Sequence, residues 1–92
     1  MKILVFAGTT EGRRIAEYLN DTVADSYVSV ATEYGGRLLE EYQHLHLLTG
    51  RMDEDDITAF LSEKEIDLVI DATHPFAVLV TDNIKRACER AE

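Results

Sequence analysis

The stretch Lys2-Ile3-Leu4-Val5-Phe6-Ala7-Gly8-Thr9-Thr10-Glu11-Gly12-Arg13 decides the fold. Its first half is short, apolar, and rich in β-branched and aromatic residues, and Gly8 closes it. That is the pattern of a buried strand over Lys2 to Ala7. A helical pattern follows over Gly12 to Asn20, with Ile15, Ala16 and Leu19 on one face. A strand apolar on both faces that leads straight into a helix is the opening of a parallel sheet with helical crossovers.

Working outward, the same alternation repeats. Ser26 to Ala31 reads as a second strand, carried by Tyr27, Val28 and Val30. Tyr34 to Tyr42 reads as a short helix after Gly35-Gly36, and His44 to Leu48 as a third, weaker strand. Asp53 to Glu63 is a helix capped by Asp53, with Asp56 three residues on and acids in the first turn, where the helix dipole favours them. Ile57, Phe60 and Leu61 form its buried stripe. Asp67 to Asp71 is a fourth strand. Pro75 stands where a last helix can begin, because its missing N–H costs nothing there. Val80, Ile84, Ala87 and Cys88 repeat at helical spacing along that helix. The order β-α-β-α-β-α-β-α predicts an α/β fold: a Rossmann-like parallel sheet of about four strands, in the order 3-2-1-4, with helices on both faces.

Composition narrows the function. The 92 residues make one domain at most. No apolar run reaches the ~18 residues of a membrane-spanning helix, and Ile3 to Ala7 is too short for a secretory signal. A cytoplasmic setting is expected. Cys88 is the only cysteine, so neither an internal disulfide nor a multi-cysteine zinc site can form. Nine basic residues against 18 acidic ones leave a net charge of -9. That balance excludes broad binding to nucleic acid or anionic lipid, both of which need a basic footprint. It leaves room for a small anionic ligand held by local groups.

In the order 3-2-1-4, strands 1 and 4 are neighbours and the direction in which the chain adds strands switches between them. Ligands bind at such a switch point, outside the carboxyl ends of the strands. Two loops meet there, Gly8 to Gly12 and Ala72 to Ala77. The first leads into a helix N-terminus, a natural anion site. Thr9 and Thr10 add hydroxyls, and Arg13 or Arg14 can add charge. The spacing is G-x-x-x-G, so the same loop also reads as a plain helix cap. After strand 2, Glu33 suits a ribose hydroxyl, whereas Thr32 with Arg37 suits a 2′-phosphate; Glu33 also reads as a solvated carboxylate. In the second loop His74 is of the side-chain type suited to donating a proton or a hydrogen bond to substrate, or it braces the loop. Asp71 reads as a brace. His44 and His46 share a face, which edge-strand polarity explains better than a metal. Cys88 suits core packing, and Arg51 either faces the cleft or is solvated.

Four segments, Ile3 to Arg13, Val30 to Gly35, Gly50-Arg51-Met52-Asp53, and Asp71-Ala72-Thr73-His74-Pro75-Phe76-Ala77, together resemble the precorrin-6A reductase and cobalt-precorrin-6A reductase family. They stand in the family's order and spacing. Ala7 departs from the Gly often found there. The resemblance implies hydride transfer from NADPH to the tetrapyrrole macrocycle in cobalamin biosynthesis, with the precorrin, cobalt-free or cobalt-containing, as partner. It implies that residues 1–92 form the N-terminal, nucleotide-binding domain. The second domain that completes the cleft would then lie outside this chain, and the 92 residues alone would not turn over. Carried onto these residues, Gly8, Thr9, Thr10, Glu11, Gly12 and Arg13 hold cofactor phosphates. Thr32 and Arg37 lie near the adenosine ribose and its 2′-phosphate. Thr73, His74 and Phe76 lie near nicotinamide and substrate, with His74 the candidate catalytic residue. A module that binds a nucleotide or phosphate without catalysis is the alternative.

Overall fold

A computed structural model describes residues 1–22, 25–31, 45–74 and 77–91. Strands β1 (Lys2–Phe6), β2 (Asp25–Val30), β3 (Leu45–Thr49) and β4 (Leu68–Asp71) and helices α1 (Thr10–Asn20), α2 (Glu54–Glu63) and α3 (Val78–Ala91) are its elements. The strands form one sheet in the order β3-β2-β1-β4. Every pairing is parallel, as the alternation of strand and helix predicts.

Strand β1 is central, and its alternation divides the core in two. Ile3, Val5 and Ala7 face one way and pack with Ala16 and Leu19 of α1 and Val28 and Val30 of β2. Leu4 and Phe6 face the other way and pack with Ile57 and Leu61 of α2 and Ile84 and Ala87 of α3. Full burial of an aliphatic or Phe side chain contributes about 1.5–3 kcal/mol, so β1 anchors both layers. The paired residues Ile3 and Ser26 share a face, which buries the Ser26 hydroxyl with no hydrogen-bond partner. Val80 and Cys88 are half-buried against the α2–α3 layer.

The element ends refine the sequence reading. Helix α1 starts two residues before Gly12, because Thr9 is its N-cap and accepts the Gly12 N–H. Asp53 caps α2 through a reciprocal pair: it accepts the Asp56 N–H at 2.8 Å, and Asp56 accepts the Asp53 N–H at 3.1 Å. Strand β3 runs one residue later than the sequence pattern suggests, in register from Ser26–Leu45 to Val30–Thr49. Helix α3 begins at Val78, and Ala77 just before it donates to the His74 carbonyl at 2.9 Å. The expected helix over Tyr34 to Tyr42 lies outside the described residues. No helix among the described residues is long and apolar enough to cross a membrane.

Candidate functional site

The carboxyl ends of all four strands open onto one cleft of about 400 Å³. Backbone bonds carry the sheet ladder beyond the strands into its rim. Ala7 donates to the Ser29 carbonyl, Ala72 to the Phe6 carbonyl and Gly50 to the Val30 carbonyl, at 2.8–2.9 Å. The rim is therefore as fixed as the sheet. Phe6, Ser29 and Met52 line the cleft from the strand ends, and Val78, Leu79 and Val80 of the first turn of α3 form an apolar wall. The Ser29 hydroxyl donates to Met52 Sδ at 3.9 Å.

The two glycines of the first loop do different things. Gly12 is buried, and a Cβ there would come within 3.0 Å of Ala7 Cα and 3.2 Å of Ala72 Cβ. It is the contact on which α1 rests against the sheet. Its N–H already donates to Thr9 Oγ1 at 3.1 Å. Gly8 lines the cleft, and a Cβ there would meet nothing within 4 Å. Neither packing nor a positive φ requires glycine at position 8. What its missing side chain leaves is bare backbone facing the cleft.

Thr9 ties the two loops together. Its hydroxyl donates to the Ala72 carbonyl at 2.7 Å while accepting from Gly12. In the second loop Asp71 is the organising group. One carboxylate oxygen accepts the Thr73 N–H at 3.1 Å and the Thr73 hydroxyl at 2.6 Å. The other accepts the Thr81 hydroxyl of α3 at 2.7 Å. Partial burial pushes the carboxyl pKa up. The Thr73 hydroxyl, the Thr81 hydroxyl and the Thr73 N–H together outweigh that and hold it below its ordinary value. The loop carrying half-buried Thr73 and exposed His74 is thus pinned to α3 by an ionised carboxylate.

Of the residues singled out in the sequence, the structure brings Gly8, Thr73 and His74 to the cleft. Thr10 and Glu11 are exposed on the first turn of α1. Arg13 is exposed and pairs with Glu17 along the helix at 3.7 Å. Arg51 lines the cleft. His46 Nε2 hydrogen-bonds the Asp25 carboxylate, which accepts, at 2.7 Å, and the ring stacks on Tyr27 with centroids 4.6 Å apart. Among the described residues no group of three His, Cys, Asp or Glu could hold a metal. Thr32, Arg37 and Phe76, with Glu33, His44 and Pro75, lie outside the described residues. The sequence reading missed Ser29, Met52 and the wall of Val78, Leu79 and Val80. Two signals mark them: the alternation that turns Ser29 to the α2–α3 face, and the position of Met52 just past the carboxyl end of β3.

A family model described as "Precorrin-6x reductase CbiJ/CobK" matches residues 2–92. The chain belongs to this family. The cobalt-precorrin-6A reductases of Methanothermobacter thermautotrophicus and Salmonella typhimurium are each 35% identical to it over 89 residues. Those matches cover 96% and 97% of this chain, but 30% and 34% of the relatives. A solved structure, the CobK precorrin-6A reductase, superposes with a TM-score of 0.83 at 32% identity, over 98% of this chain and 35% of that one. The chain thus spans about a third of the length of the family members it matches. The superposition supports the α/β sheet and its order on an independent member of the CbiJ/CobK family.

Proposed function

We propose that this chain is the nucleotide-binding part of an NADPH-dependent reductase acting on precorrin-6A or its cobalt form in cobalamin biosynthesis, with a further domain completing the cleft. Gly8 is the observation that carries the reading. A glycine that neither packing nor backbone conformation requires lines a cleft at the switch point between β1 and β4, beside a helix N-terminus. The names of the relatives and family membership support the choice of reductase.

The cofactor, when bound, supplies a hydride to a double bond of the macrocycle. The chain's own residues bind and orient. The bare backbone at Gly8 lets a pyrophosphate approach the first turn of α1. There the N–H groups of Thr10 and Glu11 have no acceptor within the helix, and its dipole favours negative charge. Arg13 and the hydroxyl of Thr10 add local attraction. Thr9 fixes that loop against Ala72, while Gly12 sets the height of the helix N-terminus above the sheet. Thr32 and Arg37 take the adenosine ribose and its 2′-phosphate. Thr73, held by Asp71, and His74 flank the nicotinamide and the substrate with Phe76, and His74 can donate the proton taken up by the double-bond atom opposite the one that receives the hydride.

Fluorescence titration of the 92-residue chain with NADPH and NADH tests the reading. Saturable binding that prefers NADPH is expected, without turnover. Gly8→Val should weaken it at least tenfold, about 1.4 kcal/mol, with the melting temperature unchanged. Equal affinity of Gly8→Val and the unaltered chain would remove the cofactor from this loop.

A further inference from the structure

We propose that Arg51 is a further anion-recognising group of the cleft, acting in addition to the first turn of α1 and Arg37 and holding a ligand phosphate or carboxylate about 14 Å from what binds at Thr73 and His74, the span of three inter-strand steps. The inference deepens the function proposed above and rests on it. Arg51 follows Gly50, whose φ of 118° favours glycine and whose N–H donates to the Val30 carbonyl at 2.8 Å. The backbone that presents Arg51 to the cleft is therefore set by the end of β2.

The guanidinium is exposed, and among the described residues it makes no hydrogen bond or ion pair. Other arginines are engaged: Arg13 with Glu17, Arg86 with Asp82, and Arg90 with Glu54 and Asp55. The acids that follow Arg51 are engaged as well. Asp53 and Asp56 cap α2 through each other's backbone, and Glu54 and Asp55 hold Arg90. Arg14 also lacks a recorded partner, but it is not among the residues that line the cleft. A chain of net charge -9 thus keeps, among the described residues, an unpaired cation on the rim of a largely apolar cleft.

That combination selects a ligand with an apolar body and an anionic edge. Arginine suits the task because its planar fork meets a phosphate or carboxylate with two parallel N–H bonds. The anion must stand well away from the group at His74, since β3 and β4 are at opposite edges of the sheet. The 2′-phosphate of NADPH and a peripheral carboxylate of the macrocycle both meet this requirement.

The test compares the unaltered chain with Arg51→Gln and Arg51→Lys, at constant low ionic strength because salt screens an exposed cation. The probes are NADPH, NADH and uroporphyrin, a porphyrin with carboxylates around its rim. Arg51→Gln is expected to lose about fivefold or more in affinity for one probe, and Arg51→Lys to recover part of it. Loss for NADPH with NADH unchanged supports the 2′-phosphate as the anion; loss for uroporphyrin supports the carboxylate. Unchanged affinity for all three probes overturns the assignment of Arg51 alone. An unaltered chain that binds none of them overturns both it and the reading on which it rests. Melting temperatures within about 2 °C of each other confirm that the variants fold, as an exposed side chain predicts.

Discussion

The two loops at the switch point are built on different physics. The β1–α1 loop is held by contact. Gly12 sits against Ala7 and Ala72, and one neutral hydroxyl, Thr9, bonds across to the other loop. The β4–α3 loop is held by charge. A single exposed carboxylate, Asp71, collects Thr73 and Thr81. Packing is stiff and indifferent to pH, whereas a carboxylate clamp can be released by one proton. The loop assigned to phosphates is therefore the rigid one, and the loop that carries His74 is the adjustable one.

The harshest way to break this contrast is Gly12→Val. Its branched side chain has no room beside the Ala7 backbone, and overpacking of this kind costs about 2–3 kcal/mol, roughly 10–20 °C in Tm. Gly8→Val, four residues away, should leave thermal unfolding unmoved and act only on ligand affinity. If both variants melt alike, the division between a packing glycine and a ligand-facing glycine fails.

Asp71→Ala comes next. It removes three accepted hydrogen bonds, so the Thr73 amide should lose protection in hydrogen exchange while the Gly12 amide keeps it. The protection loss should correspond to about 1 kcal/mol. Acid should do the same reversibly. Because the folded pKa of Asp71 lies below its ordinary 3.8, the clamp is complete above that value and is lost as the pH falls through the lowered one. Amide shifts of Thr73 should therefore stay constant from neutrality to about pH 5 and move only below the ordinary carboxylate range. A Thr73 shift that stays constant through the acid range would remove Asp71 as the group that holds the loop.

The smallest expected effect is a control at the far end of the sheet. Glu65, just past α2, has a φ of 53°, a conformation that favours glycine. Glu65→Gly should stabilise the chain by up to about 1 kcal/mol in chemical denaturation and leave every binding constant as it was.

Much of this was legible in the sequence. Short apolar runs announced each strand, because a strand covered on both faces must be apolar on both. The capping pair Asp53 and Asp56 announced α2 nearly to the residue, because its signal is local. Boundaries slipped where a distant partner decides them. α1 starts at Thr10 because Thr9 can reach both Gly12 and Ala72, and Ala72 lies 63 residues away. In the site, Gly8 and His74 could be named from the loop positions, and Asp71 could be read as a brace. Ser29 and Met52 could be reached only through the alternation of β2 and the carboxyl end of β3, and the wall of Val78, Leu79 and Val80 could not, since nothing in its local pattern separates a cleft surface from a core surface.

The sequence by itself determined the strands, their parallel order and the end of the sheet onto which the cleft opens. Those follow from periodicity, short connections and the handedness of crossovers, all of which act locally or on topology. Only the tertiary structure decided what each loop residue does. The two glycines of the first loop are the same residue with the same freedom. One became a packing contact and the other a bare wall of the cleft, according to whether Ala7 and Ala72 or open space stood above them.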